Sequence, residues 1–376
     1  MAVDATRSDS YSAAFVAEMT PDAAPKLNGE ATASGPSLAL VPPAAEPGPV
    51  FTKGSSSGTG IDWAEFTWNY SVGCKKKSDG CANCYAIPAA AANERRGQKH
   101  YKGLTKKLKN GELNWTGKVT EAPRHIFEKP LGLPAGSIVF VNSMGDFLQP
   151  EAPDDLRLRA LDIMRRRPDI AFLALTKCAK ELAPFLTRTG VVLPDNLWVG
   201  VSVESSAHVD RIDLLRAIPG VVRFLSIEPL LDDVAATGMD LRGIDWVIAG
   251  GESGKGARPV APEWVRHVRD ACISQKVAFF HKQWGTWRSN PLARDERGEL
   301  RKCREVEQLD PHGTGGALLD GQLWREMPPA YWQRWAPLRR PRRHLPLVQT
   351  PPSAQRPVAK RSVTKTATMK RKPRQR

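Results

Sequence analysis

The sequence predicts an α/β fold, a full or partial parallel (β/α) TIM-like barrel. Two observations carry that expectation. Apolar, β-branched runs recur at the spacing of strand–helix units, and no tight hairpin dipeptide separates them. In the first of these, Ser137 to Ser143 (SIVFVNS), Pro134 and Gly145 bound the apolar core. The stretch from Pro153 to Arg167 then sets Leu156, Ala160, Ile163 and Met164 on one helical face and Arg157, Arg165 and Arg166 elsewhere. IAFLALT, NLWVGVSV, VVRFLSI, IDWVIAG and VAFFHKQ follow, with centres near residues 173, 200, 225, 247 and 279. Near-continuous apolar strands suit a parallel sheet covered on both faces. Upstream, Phe66 to Val72 (FTWNYSV) reads as a first strand, and Cys84 to Gly97 (CYAIPAAAANERRG) reads largely as a helix. Trp63 and Trp68, near that strand, read as packing aromatics.

Function is expected where the strands end. Each apolar run finishes in polar residues: Asn142 and Ser143 with Asp146 beyond, Thr176 and Lys177, Ser202 and Glu204, Ser226 and Glu228, Glu252 and Ser253, and His281, Lys282 and Gln283. In a parallel barrel these ends share one rim, where active sites are built. One site assembled from several strands is the expectation.

Composition places the barrel between two appendages. Residues 1–55 open with an Ala/Pro-rich stretch of no sustained period and are expected to be disordered. Residues 56–337 hold the barrel. Residues 338–376 carry 13 Lys or Arg and no Asp or Glu, so almost all of the formal net charge of +15 sits in that tail. It reads as a disordered basic segment with salt-sensitive affinity for nucleic acid or another polyanion. The rest of the chain is close to neutral, which argues against a barrel that grips duplex through many phosphates. No secretory signal and no apolar run of membrane-spanning length are evident, so a soluble cytoplasmic protein without a membrane partner is expected.

Six cysteines are too few for a disulfide scaffold, and three of them cluster: Cys74, Cys81 and Cys84, in the pattern C-x6-C-x2-C. A structural zinc site takes four ligands. A cluster-binding loop of three thiolates leaves one metal position open to substrate or cofactor, as a reactive centre requires. Following the first strand, this loop would face the barrel mouth. Cys178, Cys272 and Cys303 read as packing or surface thiols. The rival reading makes Cys81 and Cys84 a zinc knuckle, with Cys74 and His100 or another histidine completing it. That would be a non-catalytic zinc- or cluster-stabilised nucleic-acid-binding protein.

A three-cysteine loop after the first strand of a parallel α/β barrel resembles the radical S-adenosylmethionine (SAM) superfamily. More closely, WNYSVGC, GCANCYA, VFVNSMGDF, LTK, NLWVGVSVE, RFLSIEPLL, IDWVIAGGESGKGARP and FFHKQWG resemble an uncharacterised phage-associated (bacteriophage protein) family over roughly residues 58–336. The resemblance implies a barrel of the radical SAM type with a 4Fe-4S cluster held by Cys74, Cys81 and Cys84. It implies SAM chelated at the open iron and cleaved to a 5′-deoxyadenosyl radical, with an electron donor such as flavodoxin or ferredoxin. Ser143 and Asp146, at the second strand, are then candidates for the SAM amino group. Lys177 matches a lysine that approaches the SAM carboxylate in the spore photoproduct lyase-type DNA-lesion lyases, a more distant likeness. Ser202 and Glu204 suit the carboxylate and ribose hydroxyls.

The remaining candidates would face substrate. Gly250 to Pro259 (GGESGKGARP) has the glycines and cations of a phosphate-cradling loop without being a Walker motif, so Glu252 and Arg258 are candidates, with Glu228. Lys282, Gln283 and Trp284 stand beside the same mouth, Trp284 suited to stacking a base. The basic tail and the likeness to lesion lyases point to a nucleic-acid base or nucleotide, free or presented by a partner protein.

Overall fold

Seven parallel strands form the main sheet of the computed structural model, which describes residues 50–53, 58–236 and 238–339. They are β1 (Phe66–Trp68), β2 (Ile138–Val141), β3 (Ala171–Thr176), β4 (Leu197–Ser202), β5 (Val222–Ile227), β6 (Trp246–Gly250) and β7 (Ala278–Gln283). Each pairs with its neighbours in chain order, and β1 does not meet β7, so the sheet is a curled half-barrel open along one side. Helices α1 (Ala86–Arg95), α2 (Asp154–Arg165), α3 (Leu182–Thr189), α4 (Asp210–Arg216) and α5 (Pro262–Ser274) lie in the connections. Among its described residues the crossover from β5 to β6 has no helix.

The two-residue period of a strand sorts the side chains into two cores. Val139, Phe172, Val199, Leu225, Val247 and Phe279 face outward and pack with Leu156, Ala160, Ile163 and Met164 of α2 and with Val265 and Val268 of α5. Phe140, Leu173, Trp198, Phe224, Trp246 and Phe280 face inward. Trp63 and the final helix α6 (Pro329–Arg334), with the Trp335 that follows it, close that inner face. The rings of Trp198 and Trp335 are 5.5 Å apart, and those of Trp198 and Trp246 6.1 Å. The barrel is therefore filled with aromatic side chains at its lower end. Extending the same inward alternation toward the strand ends reaches Asn142, Lys177, Ser202, Ser226, Glu228 and Lys282. These six polar residues form one layer of the barrel interior.

Four details differ from the sequence reading. Phe66 to Val72 is not one strand. Only Phe66–Trp68 joins the sheet, while Ser71–Val72 turns away to pair antiparallel with Thr120–Glu121. Asn69 marks the divergence, its side-chain oxygen accepting from Met144 N at 3.0 Å and from Ser143 Oγ at 3.2 Å. A hairpin of Thr105–Lys107 and Leu113–Trp115 precedes β2, where Asn110-Gly111 was an unused turn signal. Arg157 is buried: its guanidinium donates to the Phe147 carbonyl at 3.0 Å and to the Gln149 carbonyl, and pairs with Asp154 at 2.6 Å. It fastens the loop after β2, a role that helical spacing does not reveal. Phe51, which falls in the segment read as disordered, is buried against Tyr331 in the barrel floor, and Arg339 pairs with Glu65 at 2.6 Å. Otherwise the two expected disordered tails lie outside the described residues, apart from Leu338 and three neighbours of Phe51. Among the described residues no helix is long and apolar enough to cross a membrane.

Candidate active site

A cleft of about 250 Å³ opens at the C-terminal ends of the strands. Cys74, Cys81 and Cys84 line it together with Ser143, Asp146, Lys177, Ser202, Glu228, Glu252, Lys282 and Gln283. Residues from one loop and from six strand ends thus meet in one place. Trp63 and Phe140, from the aromatic interior, also line it.

The cysteine loop is held from below and from the side. Gly73, at φ +109°, bridges to Gly145 and donates to the Met144 carbonyl at 3.0 Å, which ties the loop's start to the β2 end. Asp79–Cys81 forms a single 3-10 turn. Beneath that turn lies Glu204, fully buried, which accepts from Ser78 Oγ and pairs with Arg211 at 2.9 Å and Lys177 at 3.2 Å. Gly80 allows the close approach: a Cβ there would come within 2.7 Å of Glu204 Cγ. On the loop's other flank, Asn83 donates to Glu252 at 2.9 Å and to the Gly256 carbonyl at 2.9 Å. Arg258 pairs with Glu252 at 2.6 Å and donates to the Asp79 carbonyl at 3.0 Å. Burial pushes the Glu252 carboxyl up, but the Arg258 and Asn83 hydrogen bonds outweigh it and hold the group below the usual carboxylate range. Two buried carboxylates therefore clasp the loop to the late strands.

Burial, then the Asp146 charge and the other two thiols, push the Cys74 thiol well above its ordinary value. Burial also raises Cys84, with Cys81 adding to the shift. A metal would have to displace the Cys74 and Cys84 protons, so uptake should strengthen as pH rises. Among the described residues no three His, Cys, Asp or Glu side chains converge closely enough to hold a metal ion. His100 does not line the cleft; it packs on Tyr101 with ring centres 4.5 Å apart.

The other sequence candidates divide into three groups. Ser143, Lys177, Ser202, Glu228, Lys282 and Gln283 stand on the cleft wall. Asp146 also lines it, but its carboxylate accepts from Thr176 Oγ1 at 2.6 Å, Lys177 N at 2.7 Å and Leu148 N at 2.9 Å. These bonds lock the β2 loop to the β3 end. Glu204, Arg258 and Trp284 are not on the wall. Glu204 and Arg258 brace the loop, and Trp284 is buried with Nε1 donating to the Leu318 carbonyl at 3.0 Å. Trp284 has no exposed face for a base. Sequence reasoning missed Ser78, Arg211 and Asn83 as loop supports, because their partners are 126, 7 and 169 residues away along the chain. It also missed the lysines of CKKKSDGC, where Lys75, Lys76 and Lys77 line the cleft mouth; three consecutive cations between two cysteines were the available signal.

His281, grouped by sequence with the rim, is turned to the outer side. It is fully buried, with Nδ1 at 3.0 Å from the Ala317 carbonyl and no partner for Nε2. Burial lowers its pKa to about 4, against a smaller opposing pull from that carbonyl and Asp310. An unfolded histidine titrates near 6.5, so between pH ~6.5 and ~4 the unfolded chain holds the extra proton. Stability should fall as pH drops through that window, by about 3 kcal/mol at its lower end. Thermal unfolding of His281→Gln across pH 4–7 should show a correspondingly flatter slope; an unchanged slope would remove His281 as its source.

A family model described as a protein of unknown function (DUF5131) matches residues 58–328. No curated protein and no solved structure matches the chain. The matched span runs from before β1 to just short of α6 and includes all seven strands and the cysteine loop. Matched over most of its length, the chain belongs to this family of unknown function, DUF5131.

Proposed function

We propose that the protein is a radical SAM-type iron–sulfur enzyme acting on a nucleic-acid base or nucleotide. The observation that carries the reading is the meeting of three thiols from one loop with the polar ends of parallel strands in a single cleft. The donor set is soft sulfur, which suits iron–sulfur clusters and disfavours hard cations. A 4Fe-4S cluster bonds each thiolate to a different iron, so its donors need not converge on one point as zinc ligands do. When bound, the cluster and SAM would supply reductive cleavage of the sulfonium and hydrogen abstraction from substrate.

The chain's own residues would position and shield that chemistry. Cys74, Cys81 and Cys84 would hold the cluster, and the Glu204 and Glu252 clasps fix the loop that presents them. Lys177 reaches the cleft with its ammonium already paired to Glu204, leaving further N–H donors for the SAM carboxylate. Ser202 and Ser143 offer hydroxyls on the same wall. Lys75, Lys76 and Lys77 put positive charge at the mouth, where a nucleotide phosphate would enter. Trp63 and Phe140 give the cleft a dry floor, limiting water's access to a reactive species. The phage association, an electron donor such as flavodoxin or ferredoxin, and a nucleic-acid contact through residues 338–376 belong to the same proposal.

The direct test is product analysis. Anaerobic protein with iron, sulfide, reductant and SAM should release 5′-deoxyadenosine and methionine, slowly even without substrate. Lys177→Ala should weaken SAM binding about ten- to a hundredfold while iron content stays near normal. A fully loaded cluster that neither binds nor cleaves SAM would overturn the enzyme reading.

A further inference from the structure

At β7 the cleft wall departs from strand geometry. The pairing of β6 with β7 runs Ala249 to His281 and then Gly250 to Gln283, so Lys282 is an extra residue and the strand bulges there. Bulges re-aim side chains, and this one brings two consecutive residues, Lys282 and Gln283, to the cleft. Gln283 is buried, and its Nε2 donates to the Gly251 carbonyl at 2.9 Å. A carbonyl can only accept, which fixes the amide's orientation and leaves Oε1 as the open group. That oxygen is buried and has no hydrogen-bond partner. Native interiors seldom leave such an acceptor unused. Beside it, the Lys282 ammonium is 3.0 Å from Glu228 Oε1, and Ser226 Oγ donates to Glu228 Oε2 at 3.3 Å. Glu228 thus steadies Lys282, which keeps N–H donors to spare. Two consecutive residues that line the cleft thus carry an unpaired acceptor and a cationic donor.

We propose that this end of the cleft recognises the lactam edge of a nucleobase, a ring N–H beside a C=O. Resting on the nucleotide reading above, this narrows the substrate to uracil, thymine, guanine or hypoxanthine. Gln283 Oε1 accepts from the ring N–H and Lys282 donates to the carbonyl. Cytosine and adenine present a ring nitrogen lone pair at the corresponding position, which would face the Gln283 oxygen and leave it unpaired. Sites built around a buried hydrogen bond reject analogues lacking it far more strongly than apolar pockets reject a methylene.

Isothermal titration of the full chain with UMP, GMP, CMP and AMP tests this, with N3-methyl-UMP and N1-methyl-GMP as blocked ligands. UMP or GMP should bind about tenfold or more tightly than CMP and AMP, and methylation of the ring nitrogen should abolish the advantage. Gln283→Leu should level the four affinities, and Lys282→Met should weaken the preferred nucleotide. Equal affinity for all four, binding of none, or full-strength binding of the methylated ligand would each overturn the proposal. Iron content and SAM cleavage on the same preparation keep the two readings apart. Nucleotide preference without iron removes the cluster and leaves base recognition standing; iron with SAM cleavage and no preference does the reverse.

Discussion

Replacing any one of Cys74, Cys81 or Cys84 by serine should reduce iron from about four per chain to near zero in protein reconstituted without oxygen. The brown colour should go with it. These three thiols line one cleft on a loop clasped by Glu204 and Glu252, and a serine oxygen is a poor, hard substitute for a thiolate. The other cysteines should be dispensable for physical reasons specific to each. Burial and Asp146 push the Cys178 thiol up to about 12, and it is absent from the cleft wall. Cys272 is fully buried in α5, facing the outer core. Cys303 donates to Glu307 at 3.4 Å at the start of a surface helix. Because the cleft thiols must lose protons to bind metal, loading of the wild type should also rise with the pH of reconstitution. Iron and inductively coupled plasma measurements decide the matter. A colourless wild type with one zinc per chain would establish the structural-zinc alternative instead.

The parallel strands were legible because each is a compact apolar run, and burial on both faces writes itself into composition. The polar strand ends were legible for the same reason: a charged residue directly after such a run has few places to go but the rim. What sequence could not show is which of those residues face the cavity and which serve the scaffold. Lys177 and Glu204 both follow strands, yet one lines the cleft and the other lies beneath the cysteine loop, because Glu204 comes two positions after Ser202, where the chain has already left the sheet. Trp284 fails for another reason. The bulge at Lys282 shifts the alternation after that residue, so a count of faces continued to Gln283 and Trp284 goes wrong, whereas His281, before the bulge, keeps the outward alternation of Phe279. The seven-residue first strand failed because its second half had a partner, Thr120–Glu121, a two-residue strand too short to stand out in the segment between α1 and β2.

Glu204→Gln should cost about 3–5 kcal/mol of stability, the largest effect expected of a single polar substitution here. The carboxylate is fully buried, with Arg211 at 2.9 Å, Lys177 at 3.2 Å, His208 at 3.9 Å and the Ser78 hydroxyl around it. Arg211 is itself buried, and its other bond is to the Ser202 carbonyl at 2.7 Å. Removing the one negative charge leaves two cations facing each other in a site of low dielectric, and loosens the turn that carries Cys81. Apo protein should therefore unfold on the order of 10 °C lower, by thermal denaturation, before any metal or SAM is added. That distinguishes the two roles open to this residue. A ligand to SAM would leave the apo melting temperature unchanged and weaken only SAM binding. A brace lowers the melting temperature first and the iron content second. The partner substitution Arg211→Met should be nearly as costly, since it strands Glu204, whereas Arg211→Met with Glu204→Leu should recover part of the loss by removing both charges from the interior. If the double variant is no more stable than either single one, the charges are not the source of the cost, and the Glu204 brace is wrong.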